Sequence, residues 1–150
     1  MIRMPKKTLF ALEAVVDIAT YARPNPVQSK EISKRQGIPP RYLEQVMQEL
    51  VRGGILKGVR GPRGGYTLAR ERRRITVGAV VRVLAASGDA DDDGEASQAD
   101  VGQSVVRPLW QELDSLIMDR LDGITLEDLC RQARERGVDR PAEEPTDFTI

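Results

Sequence analysis

The chain has 150 residues, about the size of one compact domain, and 40% of them are hydrophobic. No apolar run approaches the ~18 residues that a membrane-spanning helix needs, and no signal-peptide pattern follows the basic N-terminus. We therefore expect a cytoplasmic protein without a membrane segment. One cysteine and the absence of histidine exclude an intrachain disulfide framework, catalysis through histidine and sites with several Cys or His ligands. We expect that the protein is not an enzyme and that it has no catalytic residue, no metal site and no cofactor.

Charge is distributed unevenly along the chain. Residues 1–87 carry 17 Lys and Arg against 6 Asp and Glu, whereas residues 88–150 carry 6 against 17. The two parts therefore have net charges of +11 and −11. A basic half beside an acidic half is typical of a protein that binds a polyanion and keeps its acidic part away from that surface. The alternative is a solvated charged surface with no such partner.

Three helices are predicted first. Apolar residues three and four apart predict a helix from Lys6 to Ala22, which Pro24 cannot continue. Ser29 is the expected N-cap of a second helix, Lys30 to Gln36, and a third helix is expected from Pro40 to Arg52. Two short helices joined by a glycine-containing turn are typical of a helix-turn-helix. The expected buried residues are Leu9, Leu12, Val15, Val16, Ala19, Ile32, Leu43, Val46, Met47 and Leu50.

A β-hairpin is predicted directly after the third helix. Strand candidates Ile55–Val59 and Tyr66–Leu68 flank a loop with three glycines and one proline. Two tip arginines suit a phosphate or a narrow minor groove, and two glycines permit positive φ angles and a close backbone approach. These tip residues are Arg60, Arg63, Gly64 and Gly65. The pattern predicts a winged helix, although an ordinary tight hairpin with incidental arginines would share it.

A fourth helix, from Val77 to Ala86 with Thr76 as its N-cap, completes an expected DNA-binding domain of residues 1–86. Residues 87–103 are small, acidic and nearly free of large apolar side chains, which predicts a flexible loop. Residues 137–150 are interpreted as a disordered acidic tail. The expected fold class is mainly α with a small β-hairpin wing, in which a winged helix-turn-helix domain is joined to a long dimerisation helix.

Residues 104–136 are expected to form two further helices. The first runs from Ser104 to Asp122 with one apolar side, and a capping box at Thr125 opens a second that ends near Arg136. A long apolar helix after a complete small domain is typical of dimerisation, although it could instead pack only on its own domain. Trp110 is interpreted as an interface or core anchor rather than a ligand platform. The expected dimerisation residues are Val106, Leu109, Trp110, Leu113, Leu116, Ile117 and Leu121.

Several short motifs follow one another in a fixed order between residues 2 and 136. They are Gln36-Gly37-Ile38, Tyr42-Leu43-Glu44-Gln45, Val59-Arg60-Gly61-Pro62-Arg63-Gly64-Gly65-Tyr66, Leu68-Ala69, Ile75-Thr76-Val77-Gly78, Leu109-Trp110 and Ile124-Thr125-Leu126-Glu127-Asp128-Leu129. Apart from the acidic loop, this order resembles the Rrf-type family of bacterial winged-helix transcription regulators. The resemblance implies a homodimer that binds double-stranded DNA at a near-palindromic operator and regulates transcription, in the expected case as a repressor.

The resemblance also implies which residues contact DNA. In the family the third helix enters the major groove and the wing reaches the adjacent minor groove, so Arg60 matches the wing arginine. The recognition-helix contacts match Arg41, Tyr42, Glu44 and Gln45. Gln45 suits an adenine edge, Arg41 suits guanine or phosphate, and Glu44 can accept from a cytosine amino group. For Glu44 a plain surface carboxylate that repels phosphate stays an alternative.

The sequence departs from the cluster-bearing members of the family. Those members carry three cysteines in the loop before the Leu-Trp helix, whereas this loop carries Asp91, Asp92, Asp93 and Glu95. Cys130 lies outside the loop, so we expect no iron–sulfur cluster. The acidic residues could bind a hard divalent cation, but they lack the EF-hand pattern, and we interpret them as a solvated, charge-repelling loop. Cys130 is interpreted as a small buried hydrophobe rather than a redox switch.

Two classes of function follow from these patterns. The first is a sequence-specific DNA-binding regulator. The sequence does not specify whether its effector is a small molecule or a partner protein, or whether it has none at all. The second is a protein-interaction module in which operator binding is lost or secondary, with the acidic half and Trp110 as its surface. Enrichment of one palindromic DNA sequence in a genomic pull-down would favour the regulator, and the absence of enriched DNA would favour the module.

Overall fold

A computed structural model of the chain describes residues 4–87 and 99–139. Its mainly helical architecture with one two-stranded antiparallel hairpin confirms the expected fold class. None of the helices in these two ranges combines the length and apolarity that a membrane crossing requires. The elements are α1 (Lys6–Tyr21), α2 (Ser29–Gln36), α3 (Pro40–Arg52), β1 (Leu56–Val59), β2 (Gly65–Leu68), a 3₁₀ turn (Arg72–Arg74), α4 (Val77–Ala85), a π-helical turn (Gly102–Val106), α5 (Arg107–Asp122) and α6 (Leu126–Glu135).

Helix α1 lies at the centre of the hydrophobic core. Its buried side includes Ala11, Val15 and Ile18, each at most 1% exposed, and the helix packs against α2, α3, α4, β2 and α6. The expectation that Leu9 is buried is wrong, because this side chain is 43% exposed. Leu9 precedes Ala11 by two residues, and at about 100° per residue it falls on the opposite side of the helix.

Helices α1 and α2 are joined through a buried carboxylate. Asp17, on α1, is 1% exposed. Arg35 donates to both of its oxygens at 2.8 Å, and Gln36 adds a third hydrogen bond at 2.9 Å. The hydrogen bonds to Asp17 raise the pKa of Arg35, which also lies 4.2 Å from the centroid of the Tyr21 ring. The pair keeps the carboxylate fully bonded, as a buried charge requires.

The N-cap of α2 differs from the expected one. Ser29 is the first residue of the helix, and the cap is Gln28. The backbone N–H of Gln28 donates to the carboxylate of Glu31 at 3.3 Å. A capping box joins the N-cap to the residue three positions later, so the position of Glu31 selects Gln28 rather than Ser29. Gly37 then ends α2 with a φ of 66°.

The expected caps of α4 and α6 are confirmed. Thr76 Oγ1 accepts from Ala79 N at 3.0 Å, and Thr125 Oγ1 accepts from Asp128 N at 3.1 Å. The carboxylate of Asp128 accepts from Thr125 N at 2.9 Å, and these bonds lower the pKa of Asp128. Thr76 and Thr125 also form an antiparallel β-bridge, so α4 and α6 begin side by side.

Helix α6 contributes to the core formed by the first four helices. Leu126 is 0% exposed and belongs to the same hydrophobic cluster as Ile18 and Ile75. Cys130 is buried at 4% exposure, with its Sγ 3.8 Å from Thr20 Oγ1. This burial agrees with the interpretation of Cys130 as a small hydrophobe. The predicted acidic loop and tail fall largely outside the described residues.

Candidate nucleic-acid interface

Helix α3 separates a buried side from a polar, exposed side. The buried residues are those expected, and each is at most 1% exposed: Leu43, Val46, Met47 and Leu50. Pro40 occupies the first position of the helix, where its missing N–H has no intrahelical partner to lose. The exposed side carries all four predicted recognition-helix residues, Arg41, Tyr42, Glu44 and Gln45. Their donors and acceptors are therefore accessible to a ligand.

Tyr42 is held in place by an aromatic neighbour. Its ring lies 5.9 Å from that of Phe10 on α1, at an interplanar angle of 57°. Such tilted pairs are favourable because the electropositive edge of one ring meets the face of the other. Tyr42 is nevertheless 51% exposed. The contact with α1 fixes one side of the phenol ring and leaves the other free.

The hairpin is held against the body by the linker between α1 and α2. Strands β1 and β2 pair antiparallel, with Leu56 opposite Leu68 and Val59 opposite Gly65. Val27 forms an additional bridge to Tyr66, with N–H···O distances of 3.0 and 2.8 Å. Val27 therefore adds a short third strand position beside β2. This attachment fixes the direction in which the tip projects.

The glycines of the tip are required by the turn conformation and the close backbone packing of the hairpin itself. Gly64 and Gly65 permit positive φ angles, but among the glycines of the tip a positive φ occurs only at Gly61, where it is 112°. The Gly61 carbonyl accepts from Gly64 N at 2.9 Å and closes the turn. A Cβ at Gly64 would overlap the Val59 carbonyl oxygen, and one at Gly65 would overlap the carbonyl of the α1–α2 linker. Contact of Gly64 and Gly65 with DNA stays a prediction.

Helix α3 and the hairpin carry several exposed cations that have no acidic partner. Within residues 4–87 and 99–139, five exposed cations from these two elements take part in none of the ion pairs: Arg41, Arg52, Lys57, Arg60 and Arg63. Arg72 is bound to Glu127 and Arg82 to Asp122, so these two guanidinium groups already have acidic partners. Unpaired guanidinium and ammonium groups on neighbouring elements form a surface suited to phosphates.

One cluster beside α3 was not predicted from the sequence. Lys7 Nζ lies 2.7 Å from Glu49 Oε1, and Ser87 Oγ lies 3.0 Å from Glu49 Oε2. These residues come from α1, α3 and the end of α4. No local pattern relates positions 38 to 80 residues apart, so sequence reasoning had no signal for this contact.

Helix α5 carries six of the seven predicted dimerisation residues, the seventh, Val106, ends the π-helical turn before it, and no residue of either element is buried. Five of the seven are between 44% and 60% exposed: Val106, Leu109, Trp110, Leu116 and Ile117. The other two, Leu113 and Leu121, are half-buried. Within a single copy of the chain, this apolar stripe is therefore largely uncovered.

Helix α5 is fixed to the body through α4. Arg82 binds both carboxylate oxygens of Asp122, at 2.5 and 2.6 Å. These hydrogen bonds raise the pKa of Arg82 and lower that of Asp122. A Cβ at Gly78 would overlap the same carboxylate. Gly78 thus allows α4 and α5 to approach closely enough for the pair to form.

Comparisons with known proteins agree with this architecture. Residues 4–132 match the family model described as "Rrf2: Iron-dependent Transcriptional regulator". The HTH-type transcriptional regulator IscR of Vibrio cholerae is 37% identical over 128 residues, which cover 85% of this chain and 74% of that protein. The structure of T. potens IscR superimposes with a TM-score of 0.74 at 36% identity and covers 90% of both chains.

A further solved structure is that of CymR, the global cysteine regulator of B. subtilis. It superimposes with a TM-score of 0.69 at 29% identity and covers 88% of this chain and 98% of that one. The family model matches most of the chain, and the V. cholerae protein exceeds 30% identity over most of both sequences. The chain therefore belongs to the Rrf2 family of transcriptional regulators, which are DNA-binding proteins and not enzymes.

Proposed function

We propose that the chain acts as a homodimer in the cytoplasm, binds a near-palindromic operator and represses transcription. The observation that carries this proposal is the exposed polar side of α3, followed directly by a hairpin with unpaired arginines. An α-helix fits the major groove of B-DNA, where base edges present distinct donors and acceptors. Helix α3 from each protomer would occupy one half-site, with the hairpin over the adjacent minor groove.

The side chains divide into those that read bases and those that bind the backbone. Gln45 is suited to an adenine edge, and Arg41 to guanine or a phosphate. Glu44 can accept from a cytosine amino group. Arg60 and Arg63 at the tip are suited to phosphates or to a narrow minor groove, whose negative potential attracts guanidinium groups. Phosphate contacts supply affinity and position, whereas the α3 contacts supply sequence preference.

The uncovered stripe of α5 supports the homodimer. Half-exposed leucine, isoleucine and tryptophan side chains along one helix form an apolar patch of the kind that marks a protein interface. A second α5 related by a two-fold axis would cover it with the same residues. Two-fold symmetry also presents two copies of α3 to the two halves of a palindrome.

The family description names iron, but the residues present do not fit an iron–sulfur cluster. Such clusters are held mainly by cysteine thiolates, usually four. The 150 residues contain one cysteine and no histidine. That cysteine is buried in α6 against Thr20, and the 150 residues hold no second thiolate or imidazole for the same iron. Among the residues that the structure describes, no three acidic or cysteine side chains are grouped as metal ligands. The proposed function does not depend on iron.

Selection of bound sequences from random double-stranded DNA tests the proposal. The expected result is one enriched near-palindrome, bound by a dimer with an affinity that falls steeply with salt. The log–log slope should correspond to about 6–10 phosphates. A monomer that enriches no sequence at low salt would refute the proposal. Capture of a partner protein through α5, without any enriched DNA, would support the alternative of an interaction module.

A further inference from the structure

A single carboxylate joins the recognition helix to α1 and to the turn that follows α4. Glu49 and Lys7 are well covered, with side-chain exposures of 11% and 18%. Lys7 Nζ also lies 3.4 Å from Ser87 Oγ, so the ammonium group, the hydroxyl and the carboxylate form a closed triangle. The Ser87 hydroxyl has one proton and two acceptors within reach, Glu49 Oε2 and the Leu84 carbonyl at 2.7 Å. We call these three residues, Lys7, Glu49 and Ser87, the α3 clamp.

The clamp lies on the side of α3 that carries the base-reading residues. Tyr42, Gln45 and Glu49 are separated by three and four residues, the spacing that places side chains on one helical face. Tyr42 contacts Phe10 of α1 at one end of this face, and Glu49 contacts Lys7 of α1 at the other. Seven residues of helix separate the two attachments by about 10 Å. Two attachments at this distance restrict rotation of α3 about its axis and its tilt.

We infer that Glu49 is a positioning residue for operator recognition: the clamp holds α3 in the orientation that aligns Gln45 and its neighbours with base edges. This inference rests on the proposed function. Base-edge hydrogen bonds are short and directional, so they weaken steeply when a helix rotates. Phosphate attraction depends much less on angle. Loss of the clamp therefore reduces sequence preference more than general affinity for DNA.

A positioning role and a purely electrostatic role for Glu49 predict opposite changes in operator affinity when Glu49 is removed. If Glu49 only neutralised positive charge, its removal would delete a negative charge near the phosphates. This change would strengthen binding to every duplex. With the positioning role, removal weakens binding to the operator although the protein becomes more positive.

The test compares the operator with a scrambled duplex of the same length and composition. Glu49→Gln keeps the shape of the side chain and removes its charge. Ser87→Ala removes the hydroxyl, whereas Ser87→Thr retains it. Glu71→Gln is the control, because Glu71 forms an exposed ion pair with Arg73 outside α3. Circular dichroism first establishes a temperature at which every variant is folded, and dissociation constants are then measured over a salt series.

The expected result for Glu49→Gln is a fall of about tenfold in the ratio of operator affinity to scrambled-duplex affinity, from loss of a charged hydrogen-bonded contact. Binding to the scrambled duplex should be unchanged or tighter. Ser87→Ala should lower the ratio in the same direction, while Ser87→Thr and Glu71→Gln should keep the wild-type ratio. Ser87 is exposed, so the alanine variant provides the test even if Glu49→Gln does not fold.

An unchanged ratio in both Glu49→Gln and Ser87→Ala would overturn the inference, as would equal weakening on both duplexes. Either result would leave the proposed function standing, because the wild-type protein would still select its operator. Failure of the wild-type protein to prefer any sequence would instead overturn the proposed function, and the inference with it.

Discussion

Replacing Leu116 by Asp should separate the proposed dimer. Leu116 lies on α5 and is 59% exposed in the single chain. Complete burial of a leucine contributes roughly 1.5–3 kcal/mol, so covering its exposed part contributes about 1–2 kcal/mol. A two-fold dimer contains the residue twice, and the loss is then about 2–4 kcal/mol. This corresponds to a dimer dissociation constant raised about thirty- to a thousandfold. The introduced carboxylate adds a desolvation cost to that figure.

Sedimentation equilibrium over a concentration series measures this change directly. The matched control is Ser115→Asp, which introduces the same charge at the neighbouring exposed position. Ser115 is about 100° from Leu116 around the helix and lies away from the apolar stripe. The control should dimerise like the wild-type protein, and Leu116→Asp should also lose operator affinity because half-sites bind independently. Equal dimerisation of Leu116→Asp and wild type would refute the assignment of this stripe.

Three further predictions concern the hairpin and α4. Arg60→Ala should weaken operator binding, measured by fluorescence anisotropy, by about 1–3 kcal/mol. Binding as tight as that of the wild-type protein would show that Arg60 does not contact the operator. Gly65→Ala should destabilise the protein, because the new Cβ overlaps the Val27 carbonyl, and an unchanged melting temperature would contradict this. Arg82 lowers the pKa of Asp122 below its ordinary 3.8. The stabilisation by this pair is therefore present above pH 3.8 and lost as pH falls through the folded-state pKa. In the Arg82→Ala variant, thermal melts should no longer show the loss of stability at acid pH that this pair contributes.

The sequence alone was sufficient to predict features that are encoded within a few neighbouring residues. Apolar periodicity predicted the buried side of α3, and the hydroxyls of Thr76 and Thr125 predicted two N-caps that the structure contains. In each case the signal and the structure it specifies lie within one or two helical turns. Competition between close alternatives produced the error at α2, where Gln28 rather than Ser29 is the cap. The position of Glu31, not the intrinsic preference of serine, decided between them.

Contacts between distant residues could not be predicted in the same way. The bridge between Val27 and Tyr66 fixes the hairpin, and it explains why position 65 must be glycine. From the sequence alone, the same glycine was interpreted as a residue for close approach to DNA. Burial of Asp17 against Arg35 also depends on how α1 and α2 meet. These features depend on tertiary packing, which has no short-range signal.

The structure indicates where regulation of this chain can act. The residues do not fit an iron–sulfur cluster, so an input must reach DNA binding through contacts that the chain does possess. Two polar contacts lie between α3 and α5: the α3 clamp, which joins α3 to α1 and to Ser87, and the Arg82–Asp122 pair, which joins α4 to α5. Ser87 is also the first residue of the segment 87–103, which the sequence predicts to be an acidic loop. A ligand or partner that displaces Ser87 would remove its hydrogen bond to Glu49 and weaken the clamp that holds α3 against α1. If the clamp positions α3 as inferred, such an input would alter base reading more than phosphate binding, and it would redirect the protein among DNA sequences rather than detach it from DNA.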